Sequence, residues 1–200
     1  MSDPEFIPFP KIARLNRLVV VTEKIDGTNA QVLVTEDGDV FAGSRNRWLN
    51  PSGDNYGFAR WVEGNKPTLL QLGPGRHFGE WWGLGIRRGY GLKEKRFSLF
   101  NTLRWAPHDE CVVEGLPGGD GVVKLPVRVP YGLFVVPELH RVDFCEMPGP
   151  TRYLEDLRMF GSVAAPGFML PEGIVVFHTA AGIAFKMTYD DGPKGAPSFS

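Results

Sequence analysis

Cysteine is nearly absent: Cys111 and Cys145 are the two in 200 residues. They match no metal-ligand spacing, and no further cysteine or close histidine pair completes a site, so a cysteine-based metal centre is excluded and a reducing, cytoplasmic setting is expected. No sign of charge dominates, with 22 basic against 23 acidic residues, so any nucleic-acid contact requires a local patch and not a uniformly basic surface. Long apolar runs are missing too. The acidic start Met1-Ser2-Asp3-Pro4-Glu5 is followed by nothing resembling a signal peptide or a membrane span, which predicts a soluble intracellular protein with no membrane partner. There is no internal repeat and no low-complexity linker before the polar, Pro- and Gly-rich end after Asp191. What is present, 42% hydrophobic residues, suffices for one core: a single domain over residues 1–191 with a flexible tail at 192–200.

Short apolar runs punctuated by Gly, Pro, Asn and Asp predict strands over 18–21, 30–35, 40–43, 78–82, 97–100, 127–136, 173–177 and 183–188. Apolar residues at helical spacing predict helices over 57–63 and 151–160, and a short proline-started turn of helix over 67–72. Few helices and many turn-linked strands, with hairpins at Asp37-Gly38-Asp39 and His178 to Gly182, give an α+β domain of mainly antiparallel sheets.

Within the strand-like stretch from Val19 to Val34, Glu23-Lys24-Ile25-Asp26-Gly27-Thr28-Asn29 interrupts the apolar pattern. A lysine at its ordinary pKa of about 10.4 is protonated and cannot attack anything at neutral pH. Desolvation by Val21 and Ile25, or a nearby metal or arginine charge, would free its lone pair, which makes Lys24 a candidate nucleophile. Gly27 would let the backbone turn tightly and approach a ligand closely. The structural alternative is a surface strand ending in an Asp-Gly turn.

Lys24-Ile25-Asp26-Gly27-Thr28-Asn29 resembles the nucleotidyl-acceptor signature of the covalent nucleotidyltransferases, the polynucleotide ligases and mRNA capping enzymes. Asn29, with Glu23 just before the lysine, is most similar to the ATP-dependent RNA ligases; DNA ligases and capping enzymes commonly carry arginine at that position. Further segments resemble the family in its order. Ser44-Arg45-Asn46-Arg47 is similar to the segment whose arginine reaches the nucleotide, implying Arg45. Phe78-Gly79-Glu80-Trp81-Trp82-Gly83 implies that Glu80 contacts the ribose, and Phe97-Ser98-Leu99-Phe100-Asn101 implies that Phe100, or else Phe97, stacks on adenine. Pro171-Glu172-Gly173-Ile174-Val175-Val176 implies Glu172 as the acid serving the metal, and Ala184-Phe185-Lys186-Met187-Thr188 implies Lys186 at the α-phosphate. On this resemblance Glu23, Lys24, Ile25, Asn29, Arg45, Glu80, Phe100 and Lys186 form the nucleotide site, with Lys24 and Lys186 catalytic.

The chemistry of those residue types fits. Moving a nucleotidyl group onto an amine spreads negative charge over the α-phosphate, which fixed cations and a metal stabilise. Mg2+ keeps several waters and needs few carboxylates besides phosphate oxygens, so Glu172 alone can be enough. An arginine fork and an acid suit phosphate and ribose hydroxyls, and an aromatic ring offers a base a stacking face. Plainer readings stand beside these: Arg45 and Arg47 solvated on a loop, Phe97 and Phe100 in the core, Glu172 facing solvent at a strand start, Lys186 alternating outward. Glu80 between apolar neighbours needs a partner in any case. The Gly-rich basic stretch from Gly83 to Gly91, followed by Lys93, Lys95 and Arg96, reads as a flexible loop that could bind RNA phosphates and bury an end base against Tyr90, the plainer reading being a solvated loop.

Two departures from the family pattern are visible. Thr188 stands where the ligases usually have a second lysine, and the chain stops shortly after that motif, as expected for a nearly bare adenylation domain. The resemblance implies an ATP-dependent RNA ligase of the nucleotidyltransferase fold, using ATP and Mg2+ or Mn2+ in RNA repair. It would form lysyl-AMP, pass AMP to a 5'-phosphate RNA end and seal that end to a 3'-hydroxyl, with a partner protein as one possible source of RNA grip. The alternatives are a DNA ligase, a capping-type guanylyltransferase, or a non-catalytic nucleotide- or RNA-binding module.

Overall fold

A computed structural model describes residues 5–107 and 127–189. The proposed tail at 192–200 lies outside the described residues. Along the chain run β1 (Leu18–Lys24), β2 (Thr28–Val34), β3 (Val40–Ser44), β4 (Trp48–Leu49), α1 (Phe58–Gly64), α2 (Lys66–Leu70), β5 (Gly75–Gly83), β6 (Lys95–Leu99), β7 (Trp105–Ala106), β8 (Val127–Arg128), β9 (Phe134–Val135), β10 (Glu138–Asp143), α3 (Pro150–Phe160), β11 (Gly173–His178) and β12 (Ile183–Thr188). They build a four-stranded sheet ordered β10-β1-β11-β12 and a six-stranded sheet ordered β4-β3-β2-β5-β6-β9, with β7 and β8 paired apart. Every pairing is antiparallel except the two-residue contacts β6 with β9 and β7 with β8. The α+β, mainly antiparallel expectation is met.

β1 is an almost unbroken β-branched run, and its burial on both faces explains why: Val21 and Ile174 pack under α3 through Tyr153 and Leu157. The six-stranded sheet alternates. Val32, Trp81, Phe97 and Leu99 face α1 and α2, where Phe58, Trp61, Trp81 and Phe97 form an aromatic cluster with ring centroids 5.1–5.8 Å apart. Burying Trp81, Phe58 and Phe97 completely contributes roughly 2–3 kcal/mol each. The opposite face presents Asn29, Gln31, Phe78 and Glu80 to a groove. A smaller cluster of Ile25, Trp82, Tyr90, Val136 and Ala165 closes the joint between the sheets.

Two elements differ from expectation. The run 127–136 is not one strand but β8 and β9, broken at Pro130-Tyr131-Gly132, where Gly132 has φ +86 and Pro130 offers no N–H. β10 went unread because Glu-Leu-His-Arg-Val-Asp is polar, a composition that an edge strand tolerates and a central one does not. The helices lie where expected, within a residue or two at their ends.

Candidate nucleotide site

The chain passes from one sheet to the other at Ile25-Asp26-Gly27, so the motif straddles their joint: Lys24 ends β1 and Thr28 opens β2. Gly27 is required there by the packing of the protein itself. A Cβ on it would lie 2.5 Å from the Trp81 carbonyl oxygen and 2.7 Å from the Trp82 Cβ. That approach to β5 lets the Gly27 N–H donate to Glu80 Oε1 at 3.1 Å, while Asn29 Nδ2 donates to Glu80 Oε2 at 3.3 Å. Glu80 thereby finds the partners that an acid in an apolar strand needs. Burial pushes its pKa from 4.5 up to about 7, with Glu172 and Asp26 adding to the rise and Lys24 and the Gly27 N–H opposing it.

Lys24 Nζ donates to Glu172 Oε2 at 2.6 Å, both side chains being partly exposed. The expected surroundings of the amine are corrected by this contact. Val21 and Ile25 point into two different core clusters, and what faces Lys24 is a carboxylate. Ile25 in particular is buried against Trp82 and Tyr90, so only its backbone is left for a ligand. Glu23 is likewise turned away: 1% exposed, it accepts from Ser162 Oγ at 2.6 Å and from the Val163 and Ala164 N–H groups at 2.8 and 2.9 Å. Alternation along β1 sends Glu23 to the α3 side and Lys24 to the groove. Burial raises the Glu23 pKa against the pull of those three donors.

Arg45 lies in the turn between β3 and β4 and, with Asn29, Gln31, Ser44, Phe78 and Phe100, lines a groove of about 150 Å³. A second hollow of about 180 Å³, beside α1 and lined by Val40, Ala42, Leu49, Ala59 and Val62 among others, is remote from Lys24 in the fold. Of the two candidate stacking rings, Phe97 is fully buried between Phe58 and Trp61, and Phe100 is exposed in the groove. Phe78 is a groove residue that sequence reasoning missed, although its spacing from Glu80 by two places it on the same face of β5.

Register sets the remaining lysine. Lys24 stands across from Gly173 and Gly173 across from Thr188, so all three share one face; two residues back along β12, Lys186 shares that face and is exposed. Thr188 therefore sits level with the nucleophile candidate, two strands away, where a lysine would add a second cation. Among the described residues no group of three or more His, Cys, Asp or Glu is placed to hold a metal ion. Glu172, held against Lys24 beside the joint of the sheets, offers hard oxygen donors that fit Mg2+ or Mn2+ taking its other ligands from phosphate and water.

The basic stretch is not the flexible base-burying loop expected. Tyr90 is buried, its hydroxyl accepting from the Asp26 N–H at 2.8 Å and its ring lying edge-on to Trp82 and 4.6 Å from Phe168. Burial raises its pKa as well. Arg88 bridges Asp26 Oδ2 (3.0 Å) and the Leu170 carbonyl (3.2 Å), Lys95 donates to the Tyr56 carbonyl, and Arg96 pairs with Glu94 while lying over Phe134. Arg87 and Lys93 stay exposed. The glycines that suggested flexibility instead serve tight turns at positive φ, Gly89 and Gly91 flanking Tyr90 at φ +52.

Two mainly antiparallel sheets joined at a lysine-bearing crossover, with a carboxylate against the amine and an aromatic groove alongside, make up an α+β domain with the fold of the RNA ligase structures below. The RNA ligase family profile matches residues 17–186, and the chain belongs to that family. Among solved structures it is similar to a point variant of Naegleria gruberi RNA ligase with ATP and Mn, at 16% identity and TM-score 0.53, over 88% of this chain and 51% of that one. An apo variant of that ligase gives 18% and 0.53 over 93% and 57%, and another variant with ATP and Mn gives 17% and 0.53 over 94% and 58%. At such identities the likeness is one of fold, and this chain spans about half the length of those ligases. No curated protein matches the sequence. No helix among the described residues is long and apolar enough to cross a membrane.

Proposed function

We propose that the chain is the nucleotidyl-transfer unit of an ATP-dependent RNA ligase. The observation that carries this reading is the convergence of Lys24, Glu172, Glu80 and Asn29 at the joint of the sheets, with the Lys24 amine 2.6 Å from the Glu172 carboxylate. In this reading Lys24 first gives up a proton to become a free amine, and its nitrogen then attacks the α-phosphorus of ATP: an N–P bond forms as the nitrogen loses a second proton, the bond to the bridging oxygen breaks, and pyrophosphate leaves with that electron pair, the protons passing by way of Glu172, 2.6 Å away, to solvent. The 5'-phosphate of an RNA end then attacks the AMP phosphorus and returns the amine, which takes its protons back from solvent, and a 3'-hydroxyl, losing its proton to solvent, attacks the activated end, forming the phosphodiester and expelling AMP.

Around those steps each side chain has a task. Glu172 orients the amine and would hold Mg2+ or Mn2+, whose charge offsets that of the phosphates. Lys186 faces the phosphates as a fixed cation. Glu80 and Asn29 meet ribose hydroxyls, the raised pKa of the carboxyl, about 7, letting its protonated form donate and its ionised form accept. Phe100, with Phe78 beside it, gives adenine a stacking face, and Arg45 reaches the nucleotide from the turn. Asn29 favours RNA over DNA sealing or capping in this reading, and the two-cysteine composition favours a cytoplasmic setting.

The test is incubation with α-32P-ATP and α-32P-GTP followed by a denaturing gel. ATP labels the wild type, GTP does not, and Lys24→Met abolishes the label; a labelled Lys24→Met protein would refute the nucleophile. If a partner protein supplies RNA grip in trans, self-labelling survives in the isolated chain while nick sealing rises when the partner is added.

A further inference from the structure

Beyond the nucleotide groove, the open face of the six-stranded sheet continues toward its β4 edge. Register lines up Phe78, Gln31, Gly43 and Trp48 in one row across four strands, with Arg76, Leu33 and Phe41 in the next. Directly paired residues project to the same side. The four aromatic side chains at the two ends of this face are all exposed: Phe78 52% and Phe100 41% beside the groove, Phe41 47% and Trp48 47% at the edge. Between them the floor is flat. Gly43 has no side chain, and a Cβ there would lie 2.7 Å from the Gln31 Cγ that crosses it.

The floor is also held rigid. Gln31 Nε2 donates to the Ser44 carbonyl at 3.0 Å, Arg76 Nη1 donates to Gln31 Oε1 at 3.0 Å, and the Arg76 guanidinium lies 5.2 Å over the Trp48 ring, which in turn packs 6.0 Å from Phe41. Neither row contains a carboxylate; Arg76 stands within the second row, and Arg45 lies in the turn beyond Ser44 at the groove end. From Phe78 to Trp48 is three strand spacings, about 14 Å. That is the kind of sheet area on which exposed aromatics stack about two or three bases of single-stranded RNA.

We infer that this aromatic and arginine face is a single-stranded RNA platform that grips a few nucleotides of the substrate, continuous with the nucleotide groove. The inference rests on the reading of the chain as an RNA ligase. Its ligand is identified by charge and shape together: arginines without facing acids suit a phosphate backbone, and flat rings on a fixed floor suit unpaired bases. An apolar protein surface would use the rings and leave the arginines without anions.

The experiment uses the full chain and a 5'-phosphorylated 12-nucleotide single-stranded RNA in fluorescence anisotropy, with α-32P-ATP self-labelling in parallel. Trp48→Ala together with Phe41→Ala weakens RNA binding at least about 10-fold, as expected for losing base–aromatic stacking. Self-labelling and the thermal midpoint stay at wild-type values, because both side chains are exposed and outside the nucleotide groove. Trp48→Phe keeps RNA affinity within about threefold yet loses the RNA-induced quenching of tryptophan fluorescence. Arg76→Gln lowers the slope of log affinity against log salt by about 0.7, the change for one phosphate contact on a single strand. The platform is refuted if the double variant binds RNA like the wild type, if the wild type fails to bind, or if the double variant alters only self-association. Loss of self-labelling in the wild type with RNA binding intact refutes the ligase reading alone.

Discussion

Glu80→Gln is the substitution whose consequence the site geometry specifies most fully. Glu80 is buried, its folded pKa is about 7 against 4.5 for the free group, and burial is the largest cause. Between those two values the folded protein holds a proton that the unfolded chain has already released, so the native state binds more protons and stability falls as pH rises. The contribution is fully present below pH 4.5 and lost as pH passes through about 7. At 1.36 kcal/mol per pKa unit the gap corresponds to about 3 kcal/mol. Glutamine preserves an acceptor for the Gly27 N–H and carries no titratable proton, so it abolishes this slope. Urea unfolding of both proteins at several pH values from 4 to 8, at constant ionic strength, reads the effect directly: the variant gains on the wild type by about 3 kcal/mol across that range. A difference that stays constant within about 0.5 kcal/mol would show that Glu80 is already ionised in the folded protein and would refute the argument. Lys24→Met offers a cross-check. Removing the ammonium that opposes the rise moves the loss of stability to higher pH.

Other substitutions separate positions that look alike in the sequence. Gly27→Ala forces a methyl against the Trp81 carbonyl and Trp82 Cβ on a central strand and costs about 1–3 kcal/mol in urea unfolding; a cost below about 0.5 kcal/mol would show that β5 has slack. Glu23→Ala strips the Ser162 hydroxyl and the Val163 and Ala164 N–H groups of their acceptor and costs about 2–4 kcal/mol, and hydrogen exchange at those two amides accelerates; unchanged protection there would mean that the loop is held by other contacts. Phe97→Ala destabilises by about 3–5 kcal/mol, the range for a large buried aromatic. Phe100→Ala leaves stability within about 1 kcal/mol and raises the ATP concentration needed for half-maximal labelling, so equal effects of the two on stability would contradict their placement.

Much of this was legible because it is written locally. The β-branched run before Lys24, the alternation of β2 and β5, and the order of the short motifs along the chain are properties of neighbouring residues, and they fix strands, faces and family. The side-chain placements that local pattern misses also share a cause. Glu23, Ile25 and Tyr90 sit inside or beside motif segments, yet each points into protein, and neither the ring of donors at residues 162–164 nor the packing of Phe168 on Tyr90 can be inferred from its neighbours in sequence. Phe97 and Phe100 differ by three positions; which one lies under the helices and which in the groove depends on where β6 ends and what covers it.

The amino-acid sequence alone determined that a lysine ends one strand, that Asp-Gly follows two residues on, and that the acids, rings and Lys186 of the family pattern recur downstream in order. Only the tertiary structure decided that Gly27 is needed for contact with β5, that Glu80 is anchored by the crossover with its pKa raised by burial, and that Thr188 stands level with Lys24. It also decided that the basic stretch is pinned in place while an open face elsewhere carries the exposed rings and arginines. The physical reason is sequence separation: burial, charge and register at this site are set by residues about 50 to 150 positions apart, brought together by pairing and packing across two sheets, and no local pattern encodes those distances.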